Sequence, residues 1–304
     1  MYDVPDQTGR TFIVTGANSG TGREATRRLA AAGAYVIMAV RTPSKGEDAR
    51  AEILTESPGA QLEVRQLDLA DLASVRAFAA GILAEDTPVD VLVNNAGVMA
   101  PPKRQVTADG YELQFGSNFL GPFALTNLLL PRLLESSAPR VVTMSSIVAN
   151  FGSIRFNDPQ WQKRYIPFGA YAQSKLADQL MGQRLADVAG SRQWNLLSTT
   201  AHPGYTRTNL QSSGANLGRK GAPKPPVTRT ILPSQDVSIG AEPLLVAATS
   251  PKAEQGGYYG PSRMFGAVGP TKKTKLPRSA RRAGVTDRLI GLAEELSGTT
   301  LPTT

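Results

Sequence analysis

The chain of 304 residues contains no cysteine and a single histidine, His202. The absence of cysteine excludes disulfides, thiolate metal sites and a cysteine nucleophile, so nothing in the composition requires an oxidising compartment. One histidine cannot form a two-histidine zinc motif, and any Ser-His-Asp triad would have to use that one imidazole. We therefore expect no metal site, and we expect proton transfer to depend mainly on tyrosine, lysine or carboxylate side chains.

Long apolar runs are also missing. No segment approaches the ~18 residues that a membrane span needs, and the opening MYDVPDQTGR lacks the charged-then-apolar pattern of a signal peptide. We expect a cytoplasmic protein without a membrane span. With 41% hydrophobic residues, the chain can bury the core of one large domain over residues 1–304.

Acidic residues are absent from two basic segments, 207–235 with five basic residues and 263–286 with seven, within a net charge of +8. Such segments are usually solvated loops. The alternative is an electropositive rim that attracts a phosphate-bearing cofactor, an anionic substrate or a membrane surface. The two segments contain few aromatic residues to stack on bases, so we expect no nucleic-acid partner.

Short β-branched or apolar runs alternate with helical periodicity from about residue 11 to residue 204. This pattern predicts an α/β fold of the Rossmann type, with a doubly wound, mostly parallel seven-stranded sheet and helices on both faces. The predicted strands are 12–15, 35–40, 62–66, 89–94, 140–144, 195–201 and a short seventh near 257–259. The predicted helices are 20–32, 44–56, 71–84, 109–135, 170–189 and 286–296. Segment 205–235, rich in Gly, Pro and Ser, is predicted to be a substrate lid, and 260–304 a C-terminal extension of the same domain.

Glycines occupy the predicted turn between the first strand and the first helix, in TGANSGTG at 15–22. The spacing of Gly16, Gly20 and Gly22 is related to the dinucleotide fingerprint G-x-G-x-x-G and does not fit a Walker A loop. The free amides of such a helix start bind phosphate. A glycine cluster can also simply begin a helix, but its position after the first strand favours dinucleotide binding.

No acid follows the second predicted strand, which reads YVIMAVRTPSKG. NAD sites usually place an acid here for the ribose 2′-hydroxyl, whereas the 2′-phosphate of NADP requires a cation. We therefore expect NADP(H), with Arg41 as the phosphate partner and Lys45 or Arg23 as helpers. The alternative is that Arg41 is an ordinary surface residue.

Tyr171 and Lys175 lie four residues apart on a predicted helix, and therefore on one face. A phenol with a pKa of about 10 is a poor acid or base at neutral pH, and a nearby ammonium lowers that pKa. Ser145 and Ser146 follow the fifth predicted strand, where a hydroxyl can hold a carbonyl oxygen. A Tyr-x-x-x-Lys pair alone is usually structural, but together with the serines and the glycine turn it indicates an active site.

The order and spacing of five motifs resemble the short-chain dehydrogenase/reductase family. The motifs are TGANSGTG (15–22), NNAG (94–97), the serine pair 145–146, YAQSK (171–175) and HPGYTRT (202–208). Within the family the chain is most similar to the retinol-dehydrogenase-like and protochlorophyllide-reductase-like branch, because of VRTPSKGEDA after the second strand and the long gap between Ser146 and Tyr171. The resemblance implies that Tyr171 is the general acid and base, and that Lys175 lowers its pKa and binds the nicotinamide ribose. It also implies that Ser146 orients the substrate and that Asn118 holds a water in the proton relay.

The resemblance also implies a set of cofactor contacts at the glycine turn and the strand ends. They are Gly16, Asn18, Ser19, Gly20, Thr21, Gly22, Arg41, Asp68, Leu69, Asn95, Ala96, Gly97, Tyr171, Lys175, Pro203, Gly204 and Thr208. Of these, Asp68 and Leu69 would flank the adenine, and the last three would contact the nicotinamide. Two residues depart from the family pattern, because Thr21 replaces the usual Ile and Tyr205 replaces a small aliphatic residue. His202 is expected to be structural.

The expected function is the NADP(H)-dependent interconversion of a carbonyl and an alcohol on a largely apolar small molecule. Two alternatives stay open, namely reduction of a polarised C=C bond and a non-catalytic NADP(H)-binding regulator. We expect substrate contacts from segment 147–170, with Phe151, Trp161 and Phe168, and from the lid. By resemblance, helices 109–135 and 170–189 are expected to pair across a two-fold axis in a homodimer or homotetramer.

Overall fold

An eight-stranded sheet forms the centre of the computed structural model, which describes residues 1–86, 88–207, 234–281 and 283–301. The strand order is 3-2-1-4-5-6-7-8, and all neighbours are parallel except the last pair. The strands are β1 (Thr11–Thr15), β2 (Tyr35–Val40), β3 (Gln61–Gln66), β4 (Val91–Asn94), β5 (Arg140–Met144), β6 (Leu197–Ala201), β7 (Tyr258–Arg263) and β8 (Val268–Lys273). The predicted Rossmann-type α/β class is confirmed.

The predicted count of seven strands is wrong for the described residues, because β8 adds an eighth strand. Its sequence, VGPTKK, has the glycine, proline and lysines that indicated a loop. An edge strand tolerates all three, since only one of its sides pairs and lysine discourages further pairing. The turn Met264–Gly266 brings this segment back alongside β7.

Helices cover both faces of the sheet. They are α1 (Gly20–Ala31), α2 (Pro43–Glu56), α3 (Leu72–Leu83), α4 (Leu113–Phe115), α5 (Gly121–Leu134), α6 (Pro167–Ser191), α7 (Val237–Gly240), α8 (Glu242–Thr249) and α9 (Val285–Ser297). The single helix predicted over 109–135 instead begins at Leu113, because the buried carboxylate of Glu112 caps it, and a π-helix at Gly116–Leu120 separates α4 from α5. Helices α7 and α8 were not predicted, because they are too short for a clear periodic signal.

The core lies on both faces of the central strands, as the continuous apolar runs of a parallel sheet require. All five residues of β1 are buried. Phe12 packs in one cluster with Leu29 of α1, and Ile13 packs in the opposite cluster with Leu129 of α5. The order in which successive strands are added to the sheet reverses between the parallel neighbours β1 and β4, and the carboxyl ends of these two strands form the crevice where doubly wound sheets bind ligands.

The C-terminal helix α9 covers part of the helical layer formed by α5 and α6. Leu289 and Ile290 of α9 belong to one buried cluster with Phe123 of α5 and Leu180 of α6. The Tyr111 hydroxyl also donates to the carbonyl of Leu296 at 2.7 Å. The homodimer or homotetramer stays a prediction, and pairing through α5 and α6 would have to accommodate α9. No helix within the described ranges is both long and apolar enough to cross a bilayer.

Most of the predicted lid, 205–235, lies outside the described residues. Its two ends are described and lie side by side. Thr206 and Gln235 form an isolated parallel bridge, and the Arg207 amide donates to the Gln235 carbonyl at 3.1 Å. The two described ends of the predicted lid are therefore hydrogen-bonded to each other.

Candidate active site

The glycine turn begins where β1 ends and leads into α1. Gly16 and Gly20 have φ angles of 65° and 53°, in the left-handed region that glycine adopts at low cost. A Cβ on Gly16 would lie 3.0 Å from the Cα of Ala96, and one on Gly22 would overlap the Gly16 carbonyl. Ser19 makes no capping hydrogen bond, so the amides of the first turn of α1 point into the crevice without a side-chain acceptor. This turn fits a bound pyrophosphate.

Hydrogen bonds hold the glycine turn against the end of β4. The Thr15 hydroxyl accepts from the amides of Asn95 and Ala96, each at 3.0 Å. The Asn95 side chain donates to the Thr15 carbonyl at 2.9 Å and accepts from the Thr21 hydroxyl at 2.9 Å. Thr21, one of the two departures from the family pattern, thus joins the turn to the β4 loop.

Arg41 follows β2 directly and is exposed, beside the strand that bears the glycine turn. The nearest acid after it in the chain, Glu47, pairs with Arg50 at 3.2 Å. Arg23 pairs with Glu52, so that predicted helper is engaged. The end of β2 therefore bears a cation and no acid, and the role of Arg41 as the phosphate partner stays a prediction.

The end of β3 supplies Asp68 and Leu69. One Asp68 carboxylate oxygen accepts from the Ala70 amide at 2.9 Å and shapes the loop. Leu69 is buried, and its carbonyl lies where a Cβ on Gly121 would be, so the loop packs closely on the start of α5.

Tyr171 lies in the first turns of α6 and is only 5% exposed. Burial raises the pKa of its phenol, while the Lys175 ammonium and a hydrogen bond with Ser146 act in the opposite direction. Both opposing groups stabilise the phenolate, as a general acid and base at neutral pH requires. The predicted triplet of Ser146, Tyr171 and Lys175 therefore converges at the carboxyl edge of the sheet.

The two serines after β5 have different partners. Ser145 donates its hydroxyl to the Lys175 carbonyl at 2.7 Å and so joins β5 to α6. Ser146 accepts weakly from the Val148 amide at 3.4 Å, which leaves its hydroxyl proton available near Tyr171. The geometry supports Ser146, rather than Ser145, as the residue facing the reaction.

Asn118 lies within the π-helix, a form that often marks functional positions. Its side chain donates to the Val98 carbonyl at 3.0 Å and to the Ser174 hydroxyl at 2.9 Å, and it accepts from the Val98 amide at 2.7 Å. A Cβ on Gly97 would lie 3.2 Å from the Asn118 carbonyl oxygen and 3.6 Å from the Lys175 ammonium. Gly97 thus leaves open the space between Asn118 and Lys175.

Comparison with known proteins agrees with this geometry. The sequence model of the short chain dehydrogenase family matches residues 10–216. The chain belongs to the short-chain dehydrogenase family. It is 50% identical to mouse retinol dehydrogenase 12 and 45% identical to the human protein of the same name, each over 203 residues that make up 66% of this chain and 63% of the relative. The matched part therefore spans less than two thirds of these relatives, and it identifies the retinol-dehydrogenase-like branch of the family.

Similarity to solved structures extends beyond the segment that these relatives match. A protein from Mycobacterium paratuberculosis is 40% identical, with a TM-score of 0.81 over 99% of this chain and 97% of that one. A Shigella flexneri short chain dehydrogenase complexed with NADP is 28% identical, with a TM-score of 0.60 over 84% and 97%. An Escherichia coli relative complexed with NADPH is 31% identical, with a TM-score of 0.54 over 70% and 82%.

The HPG turn of this short-chain dehydrogenase follows β6 and is held by the β7–β8 hairpin. The Tyr205 amide donates to the Ala267 carbonyl at 2.7 Å, and the Pro203 carbonyl accepts from the Gln235 side chain at 2.8 Å. Gly204 has a φ of 64°, and a Cβ there would overlap Ala267. Pro203 and Gly204 thus lie at the same sheet edge as Tyr171, whereas Thr208 lies outside the described residues.

His202 is structural in its contacts, as expected. It is 3% exposed, and its ring fills the space where a Cβ on Gly260 would be. Its Nδ1 accepts from the Gly204 amide at 3.3 Å. Burial lowers the pKa of its imidazole to about 4, so the ring is neutral at neutral pH.

The insertion between Ser146 and Tyr171 presents two of its three predicted substrate residues to solvent. Phe151 is 85% exposed and Phe168 59% exposed. Trp161 is buried instead, against Gly169, where a Cβ would lie 2.6 Å from the indole, and under the Arg155 guanidinium at 4.2 Å. Its contact with a substrate stays a prediction.

One buried group at the site was not predicted. Asp178 accepts from the Lys175 ammonium at 2.8 Å and is 1% exposed. Burial raises the pKa of its carboxyl to about 6. The signal was present in the sequence, since residues 171, 175 and 178 share one helix face.

Proposed function

We propose that the chain is an NADP(H)-dependent oxidoreductase that interconverts a carbonyl and an alcohol on a largely apolar small molecule. The observation that carries the proposal is the buried phenol of Tyr171 between Lys175 and Ser146, at the sheet edge that also bears the glycine turn. The names of the curated relatives support the reaction class, because the matched mouse and human proteins are retinol dehydrogenases.

Each side chain has a defined task in this scheme. The nicotinamide cofactor supplies or accepts the hydride when it is bound. The Tyr171 hydroxyl gives its proton to the carbonyl oxygen during reduction and takes it back during oxidation. Lys175 stabilises the phenolate, and Ser146 donates a hydrogen bond to the substrate oxygen. Asn118, which donates hydrogen bonds to Val98 and Ser174, holds the water of the proton relay that returns a proton to Tyr171.

The preference for NADP(H) rests on Arg41 and on the absence of an acid after β2. Two related structures complexed with NADP or NADPH support it. A planar guanidinium suits a 2′-phosphate because it forms paired, charge-assisted hydrogen bonds.

The apolar substrate class rests on the insertion. The exposed rings of Phe151 and Phe168 flank the segment that leads into Tyr171. Exposed aromatic surface beside a site is typical of a binding surface for apolar molecules.

The cofactor is tested by the rise in melting temperature with NADPH and, separately, with NADH, since a ligand that binds only the native state stabilises it. We expect a larger rise with NADPH, and Arg41→Ala should remove that difference. Arg192→Ala is the matched control, because this exposed arginine follows α6 at the opposite edge of the sheet. Equal rises with both cofactors in the unmutated protein would contradict the NADP(H) preference.

The catalytic assignment is tested with Tyr171→Phe. Loss of the acid should lower the turnover of a carbonyl substrate by about 10²–10⁴-fold while the NADPH-induced rise in melting temperature is kept. Product analysis that separates the alcohol from a saturated carbonyl checks the reaction type. Turnover that survives the substitution would remove Tyr171 from the mechanism.

A further inference from the structure

Asp178 is a buried carboxylate that the reaction scheme above does not use. Its Oδ2 accepts from the Lys175 ammonium, and its Oδ1 has no hydrogen-bond partner among the described residues. A carboxylate that is 1% exposed and only half satisfied is costly to bury. A neutral side chain would avoid that cost at a position of pure packing, so the charge calls for a functional explanation.

The hydrogen bonds of Lys175 show what Asp178 does mechanically. An ammonium has three donors, and two of them are directed to the Met144 carbonyl and to Asp178, each at 2.8 Å. These two partners lie on different elements, β5 and α6, and together they fix the position of the nitrogen. The space left by the missing side chain of Gly97 lies near the same nitrogen, so one donor stays available on the crevice side.

The charges around Tyr171 show what Asp178 does electrostatically. Among the described residues, Lys175 and Asp178 are the charged groups that act on the phenol, and they act in opposite directions. Of the other titratable groups on the surrounding elements, Arg278 is exposed, and the following five are neutral or engaged elsewhere. His202 after β6 and Tyr258 of β7 are buried and neutral, Arg281 donates to the Leu276 carbonyl, and Asp287 of α9 pairs with Arg184. Glu112, before α4, caps that helix.

We propose that Asp178 is a positioning residue that holds the Lys175 ammonium in place and offsets part of its positive charge at Tyr171. The proposal rests on the acid–base role of Tyr171 given above. It explains why a charged residue, rather than asparagine, occupies the position: the carboxylate forms an ion pair with the buried Lys175 ammonium, and its charge favours the protonated phenol in the resting protein.

Asp178→Asn separates the two effects, because an amide oxygen still accepts from Lys175 but carries no charge. With the offset removed, Tyr171 should ionise about one pH unit lower, the size of effect that a close charge produces. Ultraviolet absorbance of phenolate during an alkaline titration measures this without any substrate. The absorbance change that shifts in Asp178→Asn should be absent from the Tyr171→Phe, Asp178→Asn double variant. Its absence assigns the change to Tyr171 rather than to another of the eight tyrosines.

The pH profile of alcohol oxidation should move with the phenol. Its acid limb, which reports ionisation of the base, should shift to lower pH by the same amount in Asp178→Asn. Asp187→Asn is the matched control, because it makes the same charge change at an exposed position of α6 and should move neither curve. Circular dichroism confirms that each variant is folded, and Asp178→Ser replaces Asp178→Asn if the asparagine variant does not fold.

The outcomes distinguish the two proposals. A folded variant whose tyrosine titration matches the unmutated protein overturns the role of Asp178, whatever its activity. Absence of turnover in the unmutated protein with every carbonyl tried, together with a shifted titration in Asp178→Asn, would contradict the proposed function and leave the link between Asp178 and Tyr171 standing.

Discussion

Replacing His202 with asparagine should change how the free energy of unfolding depends on pH. The imidazole is 3% exposed, and burial lowers its pKa to about 4 from an ordinary value of 6.5. His202 is therefore protonated below about pH 6.5 in the unfolded chain, but only below about pH 4 in the folded chain. The contribution of His202 to stability is complete above pH 6.5 and is lost as the pH falls towards 4.

The size of this loss follows from the two pKa values. Each pH unit between them costs about 1.4 kcal/mol, so the free energy of unfolding should fall by about 3 kcal/mol between pH 7.5 and pH 4 through His202 alone. Asp178 acts with the opposite sign, because burial raises the pKa of its carboxyl to about 6. Protonation of Asp178 therefore favours the folded state as the pH falls from 6 to its unfolded value near 4. The unmutated protein should consequently show a shallow dependence over this range.

Urea unfolding at a series of pH values, followed by the fluorescence of the two tryptophans, measures the effect. The useful quantity is the free energy of unfolding of the unmutated protein minus that of His202→Asn, because Asp178 and the other carboxyls are common to both. This difference should shrink by about 3 kcal/mol from pH 7.5 to pH 4. Lys252→His adds an exposed imidazole and should give a nearly constant difference. A constant difference for His202→Asn as well would show that the histidine is not held neutral by burial.

Three further substitutions test the glycine turn and the packing. Gly22→Ala would bring a Cβ into Asn95 and the Gly16 carbonyl, so NADPH binding, measured by thermal shift, should weaken at least tenfold, whereas unchanged affinity would count against the placement of the turn. Gly81 is an exposed position in α3 with open space around it, so Gly81→Ala should raise the free energy of unfolding by about 0.5–1 kcal/mol. A lower free energy of unfolding, measured with urea, would argue against that helix. Leu289→Ala removes a fully buried side chain of α9 and should cost about 2–5 kcal/mol, whereas a negligible cost would show that α9 does not pack on α6.

Local sequence patterns predicted much of the fold. Strands such as β1 and β5 are short β-branched or apolar segments, and the helices between them have capping residues or clear periodicity, as at Asp71 before α3. The region 109–135 was harder to predict, because a π-helix has no periodic signature of its own and the helix begins after its cap, Glu112, rather than at residue 109. Strand β8 was not predicted, because it forms by antiparallel pairing with β7 and its own composition is not typical of a strand.

The candidate site, like the fold, could be predicted from the sequence only in part. The reactive groups could be read from local sequence: glycines at a strand end, a cation where an acid would select NAD, and Tyr171 with Lys175 on one helix face. The surroundings of each group came from packing between elements. Burial under neighbouring elements raised the pKa of the Asp178 carboxyl beside Lys175, the Trp161 indole packed on Gly169, and the space beside Gly260 took in His202 as a neutral core side chain. These outcomes depend on contacts between elements and on the exclusion of water, and neither is encoded in the spacing of residues along one segment.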